Sequence, residues 1–166
     1  MMNAKTFIGI YMAKKAIKIF LDSNVILSGL LSEKGPPRVI LDLLCLDMPF
    51  LKGVTGEYNL LEIERNIRKR LPMILDIYHS YLPKLRLEIV PLPSLDALKP
   101  YFNRIADKDA PVLASAVIGG ADYLVTGDKK DFDKFKDDES LPLKVVSPSE
   151  LVILLGHAYS DDSTER

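Results

Sequence analysis

Four acidic residues lie where the sequence could build a metal-binding or hydrolytic site. They are Asp22, Glu62, Asp109 and Asp128. Asp22 and Asp128 each follow a short apolar run that is typical of a buried parallel strand. Because right-handed crossovers bring the carboxyl ends of parallel strands to one rim, we expect these two aspartates to meet there. Two carboxylates about 4 Å apart repel by about 4 kcal/mol at an effective dielectric of 20, and a bound divalent cation would remove that cost.

The chemistry that such a cluster predicts is the binding of a hard divalent cation. Oxygen ligands without a nearby histidine or cysteine favour Mg²⁺ or Mn²⁺ over Zn²⁺. His79 and His157 lie in amphipathic stretches with no acidic motif beside them, so we interpret both as surface or packing histidines. The expected cofactor is therefore Mg²⁺ or Mn²⁺.

Each acid also has a purely structural interpretation. Asp22 can cap a helix, and Asp128 can be a turn residue. Asp109 can be a helix acid favoured by the dipole, with Asp107 as the N-cap. Taken singly, these interpretations are at least as good as the functional one. Taken together they are weaker, because independent causes would have to place acids at matching strand ends.

The position of Glu62 is the least determined of the four. It lies in a helical stretch whose register the sequence leaves open, with Glu57 and Glu64 as alternatives for the same role. Glu62 can also be an ordinary surface acid paired with Arg65 or Asn66. The choice among the three glutamates therefore stays open at the level of sequence.

Alternating apolar strands and amphipathic helices must position these acids. Strands are predicted at 19–21, 50–54, 87–90, 122–126 and 145–146. Helices are predicted at 25–31, 37–47, 55–69 with Thr55 as N-cap, 73–82, 111–118 and 151–155, with a short helix or turn at 94–100 and mostly loop at 129–138. This alternation predicts a three-layer α/β/α sandwich with a mainly parallel central sheet.

Length and composition predict one ordinary globular domain. The chain has 166 residues, 48% of them hydrophobic, and a net charge of −1, so polyanion binding would need local basic patches. Residues 17–156 are the expected domain, preceded by an extension at 1–16, in which Met12 is an alternative start to Met1, and followed by a polar tail at 157–166. The single cysteine, Cys45, and the lack of a membrane-length apolar run lead us to expect a cytoplasmic protein.

Five ordered segments resemble the PIN domain family, and in particular its VapC-like toxin group. They are 21–25 (LDSNV), 35–38 (GPPR), 55–62, 107–114 and 124–128 (LVTGD). The resemblance covers about residues 18–156. It implies a metal-dependent endoribonuclease, the toxin of a toxin–antitoxin pair, with RNA as substrate, an antitoxin protein as partner and a homodimer as assembly.

The resemblance also assigns site residues. Its four acids, which hold one or two Mg²⁺ or Mn²⁺ ions, fall on Asp22, Glu62, Asp109 and Asp128. Its polar residue near the metal falls on Asn24, and its hydroxyl before the last acid on Thr126. Further outer groups are Asp107 and, beyond the last acid, either Asp131 or Asp133.

An RNA substrate needs cationic side chains along its path. The candidates are Arg65, Arg68, Lys69 and Arg70 on one helix, with Lys129 and Lys130 after the last acid. Any one of them has an equally good interpretation as a solvated residue at a helix or loop end.

Two other functions fit parts of the sequence. A haloacid-dehalogenase-like phosphatase also begins with an apolar strand and an aspartate, and Gly127 to Asp131 resembles its late acidic motif. That family places a second aspartate two residues after the first, where this chain has Asn24. The other alternative is an inactive RNA-binding relative of the PIN family, although all four acids are present.

Overall fold

The computed structural model describes residues 15–164 of the chain. The extension predicted at 1–16 lies almost wholly outside these residues, as does the end of the predicted tail. Within the described part, no helix has the length and apolar character needed to cross a membrane.

A five-stranded, fully parallel sheet forms the centre of the fold. Its strands are β1 (Ile17–Leu21), β2 (Leu51–Gly56), β3 (Glu88–Val90), β4 (Tyr123–Val125) and β5 (Lys144–Val146). They are arranged in the order β3-β2-β1-β4-β5. The chain moves outward from β1 to β3 and then crosses to β4 on the other side of β1. The crevice between the carboxyl ends of β1 and β4 is therefore the topological switch point of the sheet.

Eight α-helices connect and cover these strands within the described residues. They are α1 (Ser23–Leu31), α2 (Pro36–Cys45), α3 (Glu57–Arg70), α4 (Leu75–Tyr81), α5 (Leu95–Leu98), α6 (Ala110–Ile118), α7 (Lys129–Phe132) and α8 (Pro148–Thr164). Short 3₁₀ helices occur at Pro72–Ile74, Leu82–Leu85, Lys99–Tyr101 and Asp133–Phe135.

The two faces of the sheet build two separate cores. Along β1, Ile19 and Leu21 lie in one core and Phe20 lies in the other, because successive side chains of a strand point to opposite faces. The first core packs against α1, α2, α3, α4 and α8, and the second against α6 and α7. The predicted three-layer sandwich is thereby confirmed.

The prediction that Thr55 caps the long helix is wrong. Thr55 lies inside β2, where it pairs with Ile89 of β3, and its hydroxyl donates to the carbonyl of Leu21 at 2.8 Å. The N-cap of α3 is Gly56 instead. The reason is that a β-branched residue suits the pleated sheet, and sheet pairing extends the strand by two residues.

The segment after β4 is helical rather than mostly loop. Asp128 caps α7 by accepting the amide of Asp131 at 3.2 Å, and Phe132 and Phe135 are buried in the second core. Burial of these two aromatic side chains therefore stabilises two short helical turns, although most of the segment is polar.

Three further helix boundaries differ from the sequence interpretation. The N-cap position of α6 is Asp109, not Asp107. The region predicted as one helix at 73–82 consists of α4 with a short 3₁₀ helix on each side. The last helix continues past Gly156 to Thr164, since an exposed glycine weakens a helix without having to end it.

Candidate active site

The four predicted acids surround one cavity at the carboxyl rim of the sheet. Asp22 directly follows β1 and Asp128 lies just beyond β4, so the two flank the switch point. Glu62 is contributed by α3, and Asp109 by the start of α6. The cavity has a volume of about 170 Å³ and is lined by Asp22, Ser23, Asn24, Leu27, Glu62, Ile63, Asn66, Lys108, Asp109 and Asp128.

The carboxylate of Asp22 is fixed by four hydrogen bonds. Its Oδ1 accepts the backbone amide of Ser23 at 2.7 Å and the side-chain amide of Asn59 at 3.1 Å. Its Oδ2 accepts the hydroxyl of Thr126 at 2.8 Å and the side-chain amide of Asn24 at 3.2 Å. Asp22 therefore caps α1 and faces the acid cavity at the same time, so the structural and functional interpretations of this residue coexist.

Burial sets the electrostatics of Asp22. The residue is only 5% exposed, and its desolvation raises the pKa of the carboxyl group to about 6. The hydrogen bonds from Thr126 and Ser23 oppose this rise, and the nearby charges of Glu62 and Asp128 add to it. A cation placed beside this carboxylate would therefore stabilise its charged form.

Thr126 and Asn24 tie the loop after β4 to Asp22. The Thr126 hydroxyl accepts the amide of Asp128 at 3.0 Å while it donates to Asp22. The Asn24 side chain accepts the amide of Gly127 at 2.9 Å through Oδ1. The positions of the first and last acids are thereby coupled through these two neutral side chains.

Glu62 is the glutamate of α3 that faces the cavity. Its Oε2 accepts the hydroxyl of Ser23 at 2.9 Å, and that hydroxyl also accepts the side-chain amide of Asn59 at 3.1 Å. The surface partners considered for Glu62, Arg65 and Asn66, are thus replaced by Ser23 of α1.

The two alternative glutamates point elsewhere. Glu57 accepts the amide of Leu92 at 3.1 Å, beyond β3. Glu64 pairs with Arg68 at 2.7 Å and lies 3.7 Å from His79 on the outer surface. Two residues along a helix correspond to a rotation of about 200°, which is why Glu64 and Glu62 lie on opposite sides of α3.

A second group of acids adjoins Asp22. Carboxylate oxygens of Asp109, Asp128 and Asp131 all lie within 4.8 Å of one another. The buried Oδ2 of Asp109 has no hydrogen-bond partner among the described residues. Burial first, and then contact with Asp131, raises the pKa of Asp109 to about 7, whereas the same contact lowers the pKa of Asp131. A buried, unpartnered carboxylate oxygen beside two further carboxylates fits a divalent cation, which would supply the missing contact.

Two predicted outer residues lie away from this group. Asp107 is exposed and is not among the residues that line the cavity. Asp133 is exposed at the start of a 3₁₀ helix, so Asp131 rather than Asp133 is the acid beyond Asp128 that joins the group.

The basic residues proposed to guide RNA lie outside the cavity. Arg65, Lys69, Lys129 and Lys130 are exposed, and Arg68 is engaged with Glu64. The cation that lines the cavity is Lys108, which the sequence interpretation missed although it lies between two aspartates. Ser23 and Asn59 were also missed; for Asn59, its position one helical turn before Glu62 was the available signal.

Comparisons with known proteins identify the fold family. The family model described as "PIN domain" matches residues 18–130. No curated protein matches the chain in sequence. Three solved structures share the fold: VapBC2 of Rickettsia felis bound to a promoter DNA fragment, DNA-bound VapBC of Salmonella typhimurium, and VapBC-1 of nontypeable Haemophilus influenzae.

These structures align over nearly their whole length at low identity. The Rickettsia chain is 18% identical with a TM-score of 0.55, the Salmonella chain 15% with 0.58, and the Haemophilus chain 16% with 0.57. The alignments cover 79%, 80% and 80% of this chain and 98%, 98% and 99% of those chains, respectively. At such identities the likeness shows a shared fold, and the family model covers more than half of the sequence. The chain therefore belongs to the PIN domain family.

Proposed function

We propose that this protein is a Mg²⁺- or Mn²⁺-dependent endoribonuclease that hydrolyses RNA phosphodiester bonds. The observation that carries the proposal is the convergence of Asp22, Glu62, Asp109 and Asp128 on one cavity, with a buried oxygen of Asp109 left without a partner. Membership of the PIN family supports the choice of a nuclease over a phosphatase.

The same residues would hold the cation. Asp22, Glu62, Asp109 and Asp128 offer carboxylate oxygens to it, and Asp131 offers another at the edge. When bound, a divalent cation supplies positive charge at the phosphate and makes nearby water more acidic.

The remaining polar groups position these acids for hydrolysis. Thr126, Asn24 and Asn59 hold both oxygens of Asp22 in one orientation, and Ser23 does the same for Glu62. Such preorganisation means that little rearrangement is needed when charge develops on the phosphate. The exposed basic residues of α3 and α7 would contact the flanking RNA through its backbone.

We further infer that the protein is the toxin of a toxin–antitoxin pair. Three solved structures that share its fold are VapBC proteins, which supports an antitoxin partner for this chain. A small DNA-binding protein encoded beside the chain and co-purifying with it is the expected observation. A homodimer and a cytoplasmic location remain predictions, and sedimentation of the purified protein would measure the first.

A cleavage assay with single-stranded RNA tests the central proposal. Purified protein should cleave RNA internally in the presence of Mg²⁺ or Mn²⁺, and excess EDTA should stop the reaction. Hydrolysis of p-nitrophenyl phosphate without RNA cleavage would favour the phosphatase instead. Binding of RNA without cleavage under either metal would favour the inactive relative.

The position of Glu62 leads to a paired prediction. Glu62→Gln should lower the cleavage rate by about two orders of magnitude, because it removes one negative charge from the cavity. Glu64→Gln, on the opposite side of the same helix, should leave the rate within about twofold of wild type, since an exposed ion pair contributes little. Initial rates at saturating Mn²⁺ measure both. A larger loss for the Glu64 variant would contradict the assignment.

A further inference from the structure

Lys108 is a cation at the edge of the acid cavity. Its ammonium Nζ lies 3.5 Å from Oδ2 of Asp131, and the residue lines the cavity together with Asp22, Asp109 and Asp128. Among the described residues that line this cavity, Lys108 is the one that carries a positive charge. A monovalent cation thus lies beside the acids that are proposed to bind a divalent one.

The backbone of Lys108 is held by a hydrogen bond, while its side chain is largely exposed to solvent. The hydroxyl of Tyr58, on α3, donates to the Lys108 carbonyl at 2.9 Å. The side chain is 69% exposed, so the ammonium can leave Asp131 without disturbing the core. The geometry is that of a tethered, displaceable charge.

We propose that the Lys108 ammonium is an internal counter-ion of the acid group, which competes with the divalent cation and, once displaced, pairs with the scissile phosphate. The first half, competition with the divalent cation, is inferred from the ion pair with Asp131 and from the cavity that Lys108 shares with the acids. The second half, pairing with the phosphate, rests on the proposed nuclease function. It is compatible with the structure because a displaced ammonium stays within a side-chain length of the cavity. A lysine suits this exchange, since its ammonium is a compact point charge on a flexible stem.

Binding of Mn²⁺ alone tests the first half. Lys108→Met should bind Mn²⁺ about fivefold more tightly than wild type at low ionic strength, which is the effect expected of one exposed charge pair. Raising the salt to about 0.5 M should remove most of the difference, because the interaction is screened. Lys108→Arg, which keeps the charge, should remain close to wild type.

Lys99→Met is the matched control for charge removal. The Lys99 side chain is 67% exposed, close to the 69% of Lys108, and it pairs with Asp96, but it does not line the cavity. Isothermal titration calorimetry on all four proteins gives the comparison. Unchanged or weaker Mn²⁺ binding by Lys108→Met, or an equal shift in Lys99→Met, would overturn the proposal.

RNA cleavage at saturating Mn²⁺ tests the second half. Lys108→Met should cleave about tenfold more slowly despite its tighter metal binding, and Lys108→Arg should recover most of the rate. Tighter metal binding with an unchanged cleavage rate would overturn the role toward the phosphate. If the wild-type protein itself cleaves no RNA, the nuclease proposal fails, while the Mn²⁺ comparison still decides whether Lys108 is a counter-ion.

Discussion

The Asp22→Asn variant is expected to cleave RNA at least about a thousandfold more slowly than wild type, a loss of about 4 kcal/mol in transition-state stabilisation. The carboxylate of Asp22 lies at the switch point and is held by four donors. An asparagine keeps the shape of the side chain but removes its charge. Each oxygen of Asp22 accepts two hydrogen bonds, so in either orientation of the asparagine amide its NH₂ group faces two donors.

The Asp22 experiment therefore needs a check on folding and a second variant. Asp128→Asn is the milder change, because Oδ1 of Asp128 accepts the amide of Asp131 and an asparagine oxygen can keep this hydrogen bond. Both variants should lose activity with circular dichroism spectra like that of wild type. Asp96→Asn, on an exposed carboxylate, is the control and should cleave normally. Folded Asp22 and Asp128 variants that retain more than about a tenth of the wild-type rate would contradict the site.

The metal-free protein is expected to lose stability as the pH rises from about 4 to 7. Burial raises the pKa of Asp22 to about 6 and that of Asp109 to about 7, from an ordinary value of 3.8. The folded state then binds protons more tightly than the unfolded state does. The stability from these two groups is fully present below about pH 4 and is lost as the pH rises through 6 and 7. For Asp22 alone, the change corresponds to about 3 kcal/mol.

The Asp109→Asn variant isolates part of this effect. Its side chain does not ionise, and its amide can donate toward Asp131 where the buried carboxylate oxygen has no partner. We expect the metal-free variant to be more stable than wild type at pH 8 by about 1–2 kcal/mol, since the lowered pKa of Asp131 offsets part of the cost of Asp109. Near pH 4 the difference should largely disappear.

Urea unfolding of both proteins at pH 4 and pH 8, with EDTA and with Mn²⁺, measures these changes. Mn²⁺ should stabilise wild type at pH 8, because a ligand that binds only the folded state adds to its stability. It should stabilise Asp109→Asn less, since one ligand is weakened. A metal-free Asp109→Asn protein less stable than wild type at pH 8 would show that the carboxylate is satisfied without a cation.

Local sequence determined the frame of the fold and two of the acids. Apolar β-forming runs end just before Asp22 and just before the loop that carries Asp128, and the handedness of parallel crossovers places such ends on one rim. Strands can be recognised from the spacing and type of their side chains alone. The strands and the two acids that follow them could therefore be predicted without knowing any contact distant in the chain.

Tertiary structure decided which helical residues enter the cavity. Burial of Ile63 and Ile67 in the first core fixes the rotation of α3, and that rotation turns Glu62 inward and Glu64 outward. A sequence window around these glutamates contains no such information, because several rotations of the helix give it an apolar side. The same holds for Ser23 and Asn59, whose contacts span elements far apart in the chain.

Two further features depend on contacts that the local sequence does not show. Thr55 resembles a helix N-cap in sequence, but its hydrogen bond to Leu21 depends on the neighbouring strand. The proximity of Asp109, Asp128 and Asp131 depends on how α6 and α7 pack on one face of the sheet. By itself, then, the sequence determined that acids gather at the carboxyl rim. Packing of the helices against the two cores decided which acids form the site and placed Lys108 among them, because side-chain direction is set by contacts distant in the chain.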